Sequence, residues 1–145
     1  MLAKKQPGDG EVSLLVAEQV GGSRELTDAG LRQLARMPQL EALNLSEYPG
    51  GKLTDNGMTA LRELKNLRRF EMTWQSGITD AGVTHLRGCE HLEEVNLMGS
   101  PTGDGAIEAL QGKPKLSHFN PGRLVTDAGL PMLRNSPVLS RLLID

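Results

Sequence analysis

A six-residue phrase returns along this chain at near-constant intervals, and its recurrence limits the fold more than any other feature. Leu26-Thr27-Asp28-Ala29-Gly30-Leu31 is followed by Leu53-Thr54-Asp55-Asn56-Gly57-Met58, Ile78-Thr79-Asp80-Ala81-Gly82-Val83 and Val125-Thr126-Asp127-Ala128-Gly129-Leu130. A degraded copy, Thr102-Gly103-Asp104-Gly105-Ala106-Ile107, stands between the last two. The copies start at 26, 53, 78, 102 and 125, so the intervals are 27, 25, 24 and 23 residues. That period belongs to a solenoid of strand-plus-helix units, in which no unit buries its apolar face alone and stacking supplies the core.

Each unit has the same grammar. Thr27 is placed as a helix N-cap, where a hydroxyl accepts from an unpaired backbone N–H, and losing such a cap costs about 1 kcal/mol. Leu26 and Leu31 then flank it as a hydrophobic staple, as do Leu53 and Met58, Ile78 and Val83, and Val125 and Leu130. Leu34 and Met37 carry the apolar face onward at helical intervals. A short strand of pattern Leu-x-x-Leu-x-Leu follows: Leu40, Leu43, Leu45; Leu67, Phe70, Met72; Leu92, Val95, Leu97; and finally Leu139, Leu142, Ile144. The fourth copy has Leu116 and Phe119 but then Pro121, which cannot donate to a ladder, so its strand is expected to end at Asn120.

Residues 1–10, with two lysines, a proline and two glycines, read as a flexible leader, and residues 11–145 as one repeat domain. Val12, Leu14 and Val16 alternate as a capping strand ahead of about five repeats. The chain is long enough to bury a core as one unit. Its 16 basic and 18 acidic residues are interspersed, so it lacks the basic footprint of a nucleic-acid binder. Its N-terminal apolar run is too short for a signal peptide or membrane span, making the cytoplasm the default compartment.

These residues carry a resemblance. The strand pattern, the Ile-Thr-Asp-x-Gly-Leu phrase and the leucine and cysteine at Leu86 and Cys89 together resemble the leucine-rich repeat family, closest to its cysteine-containing subtype. Where the family places a regular Asn or Cys after each strand, this chain has Tyr48, Gln75, Ser100 and Leu124. The resemblance implies an α/β solenoid with a parallel sheet on the concave side, helices on the convex side, and partner binding across the sheet.

Candidate sites divide accordingly. The ladder Asp28, Asp55, Asp80, Asp104, Asp127 is expected to offset helix dipoles rather than bind calcium. The Gly30, Gly57, Gly82, Gly129 column is expected to reflect close packing, because the degraded copy has Ala106 there. Cys89 occupies the core position of Met37 and Leu64, and three scattered histidines give no metal spacing. No cofactor and no metal are expected. Glu94 and His118 fall side by side but lack an adjacent nucleophile, so catalysis is not expected.

Residues alternating with the core positions face outward from the sheet. One column reads Ala42, Arg69, Glu94, His118, Arg141; the next reads Asn44, Glu71, Asn96, Asn120, Leu143; a third begins Ser46, Thr73, Met98. Tyr48 and Trp74 follow their strands on one rim as candidate interface anchors. The expected partner-binding set is therefore Tyr48, Arg69, Glu71, Trp74, Glu94, Asn96, His118, Asn120 and Arg141, and the expected function is a non-catalytic protein-interaction scaffold. There are two alternatives: a substrate-recognition piece of a larger assembly resembling a ubiquitin-ligase receptor, or a homodimer through an open C-terminal edge at residues 142–144.

Overall fold

The computed structural model describes residues 4–5, 12–13, 26–46 and 52–144. Five short strands form one parallel sheet in chain order: β3 (Ala42–Asn44), β4 (Arg69–Glu71), β5 (Glu94–Asn96), β6 (His118–Asn120) and β7 (Arg141–Leu142). Ahead of them, β1 (Lys4–Lys5) and β2 (Val12–Ser13) pair antiparallel. β1 lies within the stretch read as leader.

The register places Leu43, Phe70, Val95, Phe119 and Leu142 side by side. The first four are fully buried, because each strand's alternate residue turns toward the convex layer. Leu40, Leu67, Leu92 and Leu116 form a second buried row, and Leu45, Met72 and Leu97 a third. Both rows follow from the leucine pattern. β6 ends at Asn120, just before Pro121.

The convex arms depart from regular helix. α1 (Asp28–Arg32) and α2 (Asp80–Val83) each tighten into a 3-10 turn, at Gln33–Arg36 and Thr84–Leu86. The second and fifth repeats use 3-10 helix throughout, Gly57–Glu63 and Leu130–Asn135, and only α3 (Asp104–Leu110) is α-helical along its length. A 3-10 turn rises about 2.0 Å per residue against 1.5 Å in an α-helix, so the seven-residue arm of the second repeat reaches farther than the seven-residue arm of the fourth. The arms still bury one face: Leu31 and Leu34, Met58 and Leu61, Val83 and Leu86, Ile107 and Leu110.

Neighbouring repeats are joined by a device that the helix-dipole reading of the aspartates does not contain. Asp28 accepts the Thr54 N–H at 2.8 Å and the Thr54 hydroxyl, and Asp55 accepts both groups of Thr79 at 2.7 Å. Asp104 accepts the Thr126 N–H at 2.9 Å and its hydroxyl. Thr79 also caps its own helix as expected, accepting from the Ala81 N–H. Thr54 and Thr126 accept from the Asn56 and Ala128 N–H groups in turns ahead of arms whose N-caps are Asn56 and Gly129, so there the threonine is not the cap. Thr27 has no such cap bond. In the degraded copy Gly103 has no hydroxyl to relay, and Asp80 reaches the Gly103 and Gly105 N–H groups itself, at 2.7 and 3.2 Å.

The glycine column makes room for those carboxylates. A Cβ on Gly57 would lie 2.4 Å from Asp28 Oδ1, one on Gly82 2.5 Å from Asp55 Oδ1, and one on Gly129 2.2 Å from Asp104 Oδ1. In the fourth repeat Gly105, not Ala106, faces the preceding aspartate. Close packing is therefore the cause.

Where Asn or Cys would follow each strand, two polar side chains continue a buried ladder. Gln75 Nε2 donates to the Leu45 carbonyl at 2.6 Å. Ser100 Oγ accepts from the Gln75 N–H and donates to the Met72 carbonyl. Backbone groups that would be costly to leave unpaired inside a protein are thus satisfied across three repeats.

Candidate functional site: the concave sheet

The register that aligns the core also aligns the outer columns. Ala42, Arg69, Glu94, His118 and Arg141 are successive partners, and so are Asn44, Glu71, Asn96 and Asn120. These residues, with Leu143, line a hollow of about 440 Å³ on the sheet face. Seven of the nine residues expected to bind a partner are brought together there: Arg69, Glu71, Glu94, Asn96, His118, Asn120 and Arg141. Trp74 lies outside its lining, and Tyr48 lies outside the described residues.

The described ion pairs lie elsewhere: Arg68 with Glu93 and Glu41, just before the strands, and Arg87 with Glu108 on the convex side. The first is bidentate, with Arg68 Nε and Nη2 donating to Glu93 at 3.0 and 3.2 Å, and it raises the pKa of the Arg68 guanidinium. No described ion pair includes Glu71, Glu94 or Arg141. His118, half-buried beside Glu94, has Nδ1 2.9 Å from the Ser117 hydroxyl.

Trp74 has an unusual backbone. Its φ is 60°, a left-handed conformation that a bulky L-residue adopts only under constraint. Its N–H donates to the Met98 carbonyl at 2.8 Å, and its indole lies against Gly99, itself at φ 75°. A Cβ on Gly99 would come 2.4 Å from two ring carbons, so the glycine is what lets the ring lie down. The indole packs onto the neighbouring turn yet stays 60% exposed. Nothing in the sequence announces the left-handed tryptophan, because residue type alone argues against it.

The remaining titratable groups serve the scaffold. Cys89 is buried, its thiol donates to the Leu61 and Leu64 carbonyls, and burial raises its pKa. Lys113 takes the same place one repeat later. Its stem is buried, its ammonium donates to the Arg87 carbonyl at 2.9 Å, and burial lowers its pKa. Burial, then the nearby Arg62, lowers the pKa of His85, whose Nδ1 accepts from Arg62 Nε. Among the described residues no group of three or more His, Cys, Asp or Glu side chains could hold a metal ion. None of the described helices is long and apolar enough to cross a membrane.

No family model and no curated protein matches the chain. A solved structure does: the crystal structure of an internalin (inlF) from Listeria monocytogenes, with a TM-score of 0.50 and 17% sequence identity. The match covers 77% of this chain and 36% of that one. With the parallel sheet and the convex arms, it makes the fold an α/β leucine-rich-repeat solenoid.

Proposed function

We propose that this chain is a non-catalytic interaction module that takes a protein partner on its concave face, with Trp74 on the rim. One observation carries the reading: a hollow on a hydrogen-bonded sheet presents Glu71, Glu94 and Arg141 without ion-pair partners among the described residues. A solvated surface tends to pair its charges loosely and at little gain. A preformed hollow with open charges loses little ordering entropy when a complementary surface docks. The buried Cys89 thiol, bonded to two carbonyls of the preceding repeat, also supports the cysteine-containing subtype, and the cytoplasm remains the proposed compartment.

Affinity capture from native lysate tests the reading. Trp74→Ala combined with Glu94→Arg is expected to lose the captured partner while leaving the urea midpoint of the domain within its error. Retention of the same partner by the double variant would place the interface elsewhere.

A second reading has its own observation. Val138, Leu142, Leu143 and Ile144 are 39–49% exposed and fall in the last repeat, where β7 pairs with β6 alone among the described residues. Such a patch beside an unpaired edge favours self-association through β7. Light scattering after size exclusion is expected to give a dimer mass that Leu142→Lys converts to a monomer. A monomer at all concentrations discards this reading and leaves the first intact.

A further inference from the structure

Docking on the concave face narrows the chemistry of the partner, and the narrower reading rests on that docking. Glu71 stands in register between Asn44 and Asn96. Asn44 Oδ1 accepts the Ser46 N–H at 2.9 Å, and Asn96 Oδ1 accepts the Met98 N–H at 3.1 Å. Those bonds fix both amides: each oxygen is turned to its own backbone, leaving the NH₂ group as the available donor. Adjacent strands lie about 4.8 Å apart, so the two donors stand roughly 10 Å apart with a carboxylate midway. No described hydrogen bond or ion pair engages that carboxylate, and its two neighbours in the row are uncharged.

The charged groups facing it complete the pattern. Glu94 lies one strand over and two residues back, about 8 Å away along the diagonal. Arg69, two residues before Glu71 on the same face of β4, and His118 flank Glu94 in their own column, while the Glu71 row itself holds no cation. With no three-ligand group among the described residues, a divalent ion has no cage here. A cation on a long side chain needs none.

We infer that the Asn44–Glu71–Asn96 row binds an extended peptide segment by a lysine or arginine side chain. The cation pairs with Glu71, and the two amide groups donate to backbone carbonyls on either side of it. Three extended residues cover about 10 Å, which matches the span of the row. Trp74, three residues past Glu71 on the same repeat, offers its exposed indole face to the flanking residues of the segment.

The probe is a random twelve-residue peptide library displayed on phage and selected on the folded domain. Selected peptides are expected to share one basic position and to change the emission of Trp74, the single tryptophan. Glu71→Gln keeps the size and removes the charge, and is expected to weaken them by about tenfold, the equivalent of one charge-assisted bond. Glu71→Lys is expected to bind the same peptide once its basic residue is changed to glutamate. Peptides with no shared basic position, or binding indifferent to Glu71→Gln, overturn the inference. Asn96→Trp, which fills the hollow, separates the two failures. If it abolishes binding that Glu71→Gln leaves untouched, the concave face stands and the cation falls; if it changes nothing, both fall.

Discussion

Replacing Gly57 by alanine tests the joint between repeats. The three nearest atoms to the added Cβ all belong to Asp28: Oδ1 at 2.4 Å, Cγ at 3.0 Å and Cα at 3.1 Å. An ordinary contact is about 3.4 Å or more, so the carboxylate has to move by roughly 1 Å. Its bonds to the Thr54 N–H and hydroxyl then stretch beyond use. At about 1 kcal/mol net for each exposed bond the loss is about 2 kcal/mol. Alanine returns about 0.5–1 kcal/mol by restricting the unfolded chain. Gly57→Ala should therefore destabilise by about 1–1.5 kcal/mol. Asp28→Ala removes the same two bonds, so the pair should couple rather than add.

Urea denaturation followed by circular dichroism measures all four members of the cycle. The double variant should be no less stable than Asp28→Ala, a coupling of more than about 1 kcal/mol. Gly30→Ala is the control: among the described residues its Cβ meets only Leu26 Cδ1, at 3.1 Å, and the substitution should be neutral or mildly stabilising. Additive effects of Asp28→Ala and Gly57→Ala, within about 0.5 kcal/mol, would refute the claim that glycine and carboxylate share one space.

Lys113→Met should stabilise the domain by about 1 kcal/mol, read as a higher urea midpoint, because an apolar stem suits a column otherwise filled by Met37, Leu64 and Cys89. Burial depresses the Lys113 pKa below 10.5, so the native chain binds fewer protons between its folded and unfolded values. Wild-type stability should rise through that window as pH increases, and the methionine variant should lose that contribution. Asp104 has linkage of the same sign in the acid range, although there it is the charged form that the fold favours. The Thr126 hydroxyl and then its N–H hold the Asp104 pKa below 3.8, so its contribution is present at neutral pH and is lost as pH falls through the folded value. An acid titration of Asp104→Asn should show that stability difference vanish at low pH. Trp74→Asn should leave stability unchanged or raised, since asparagine tolerates a left-handed backbone, while lowering partner binding; a fall of more than about 2 kcal/mol would mean that ring packing outweighs the strain.

The sequence by itself determined the repeat, the row of residues inside the sheet and the columns outside it. Strand alternation and a fixed period leave one register that buries Leu43, Phe70, Val95 and Phe119 together. Close packing of the glycines followed from the alanine at 106, although its cause did not. That cause is a contact between residues about 25 positions apart, such as Asp55 and Thr79, and local periodicity carries no term for it. The aspartates therefore read as first-turn charges, a place that Asp28, Asp80 and Asp104 do hold, while Asp28, Asp55, Asp80 and Asp104 tie their repeats to the next.

Tertiary structure alone decided the finer features of the site. The left-handed Trp74 exists because Gly99 on the following repeat leaves its ring a place to lie, against the preference of its own residue type. Gln75 and Ser100 took over a polar ladder because unpaired carbonyls and N–H groups must be met by whatever side chain stands near. The open charge on Glu71 is likewise a result of assembly, since which residues flank a carboxylate across a sheet is settled only when the strands come together.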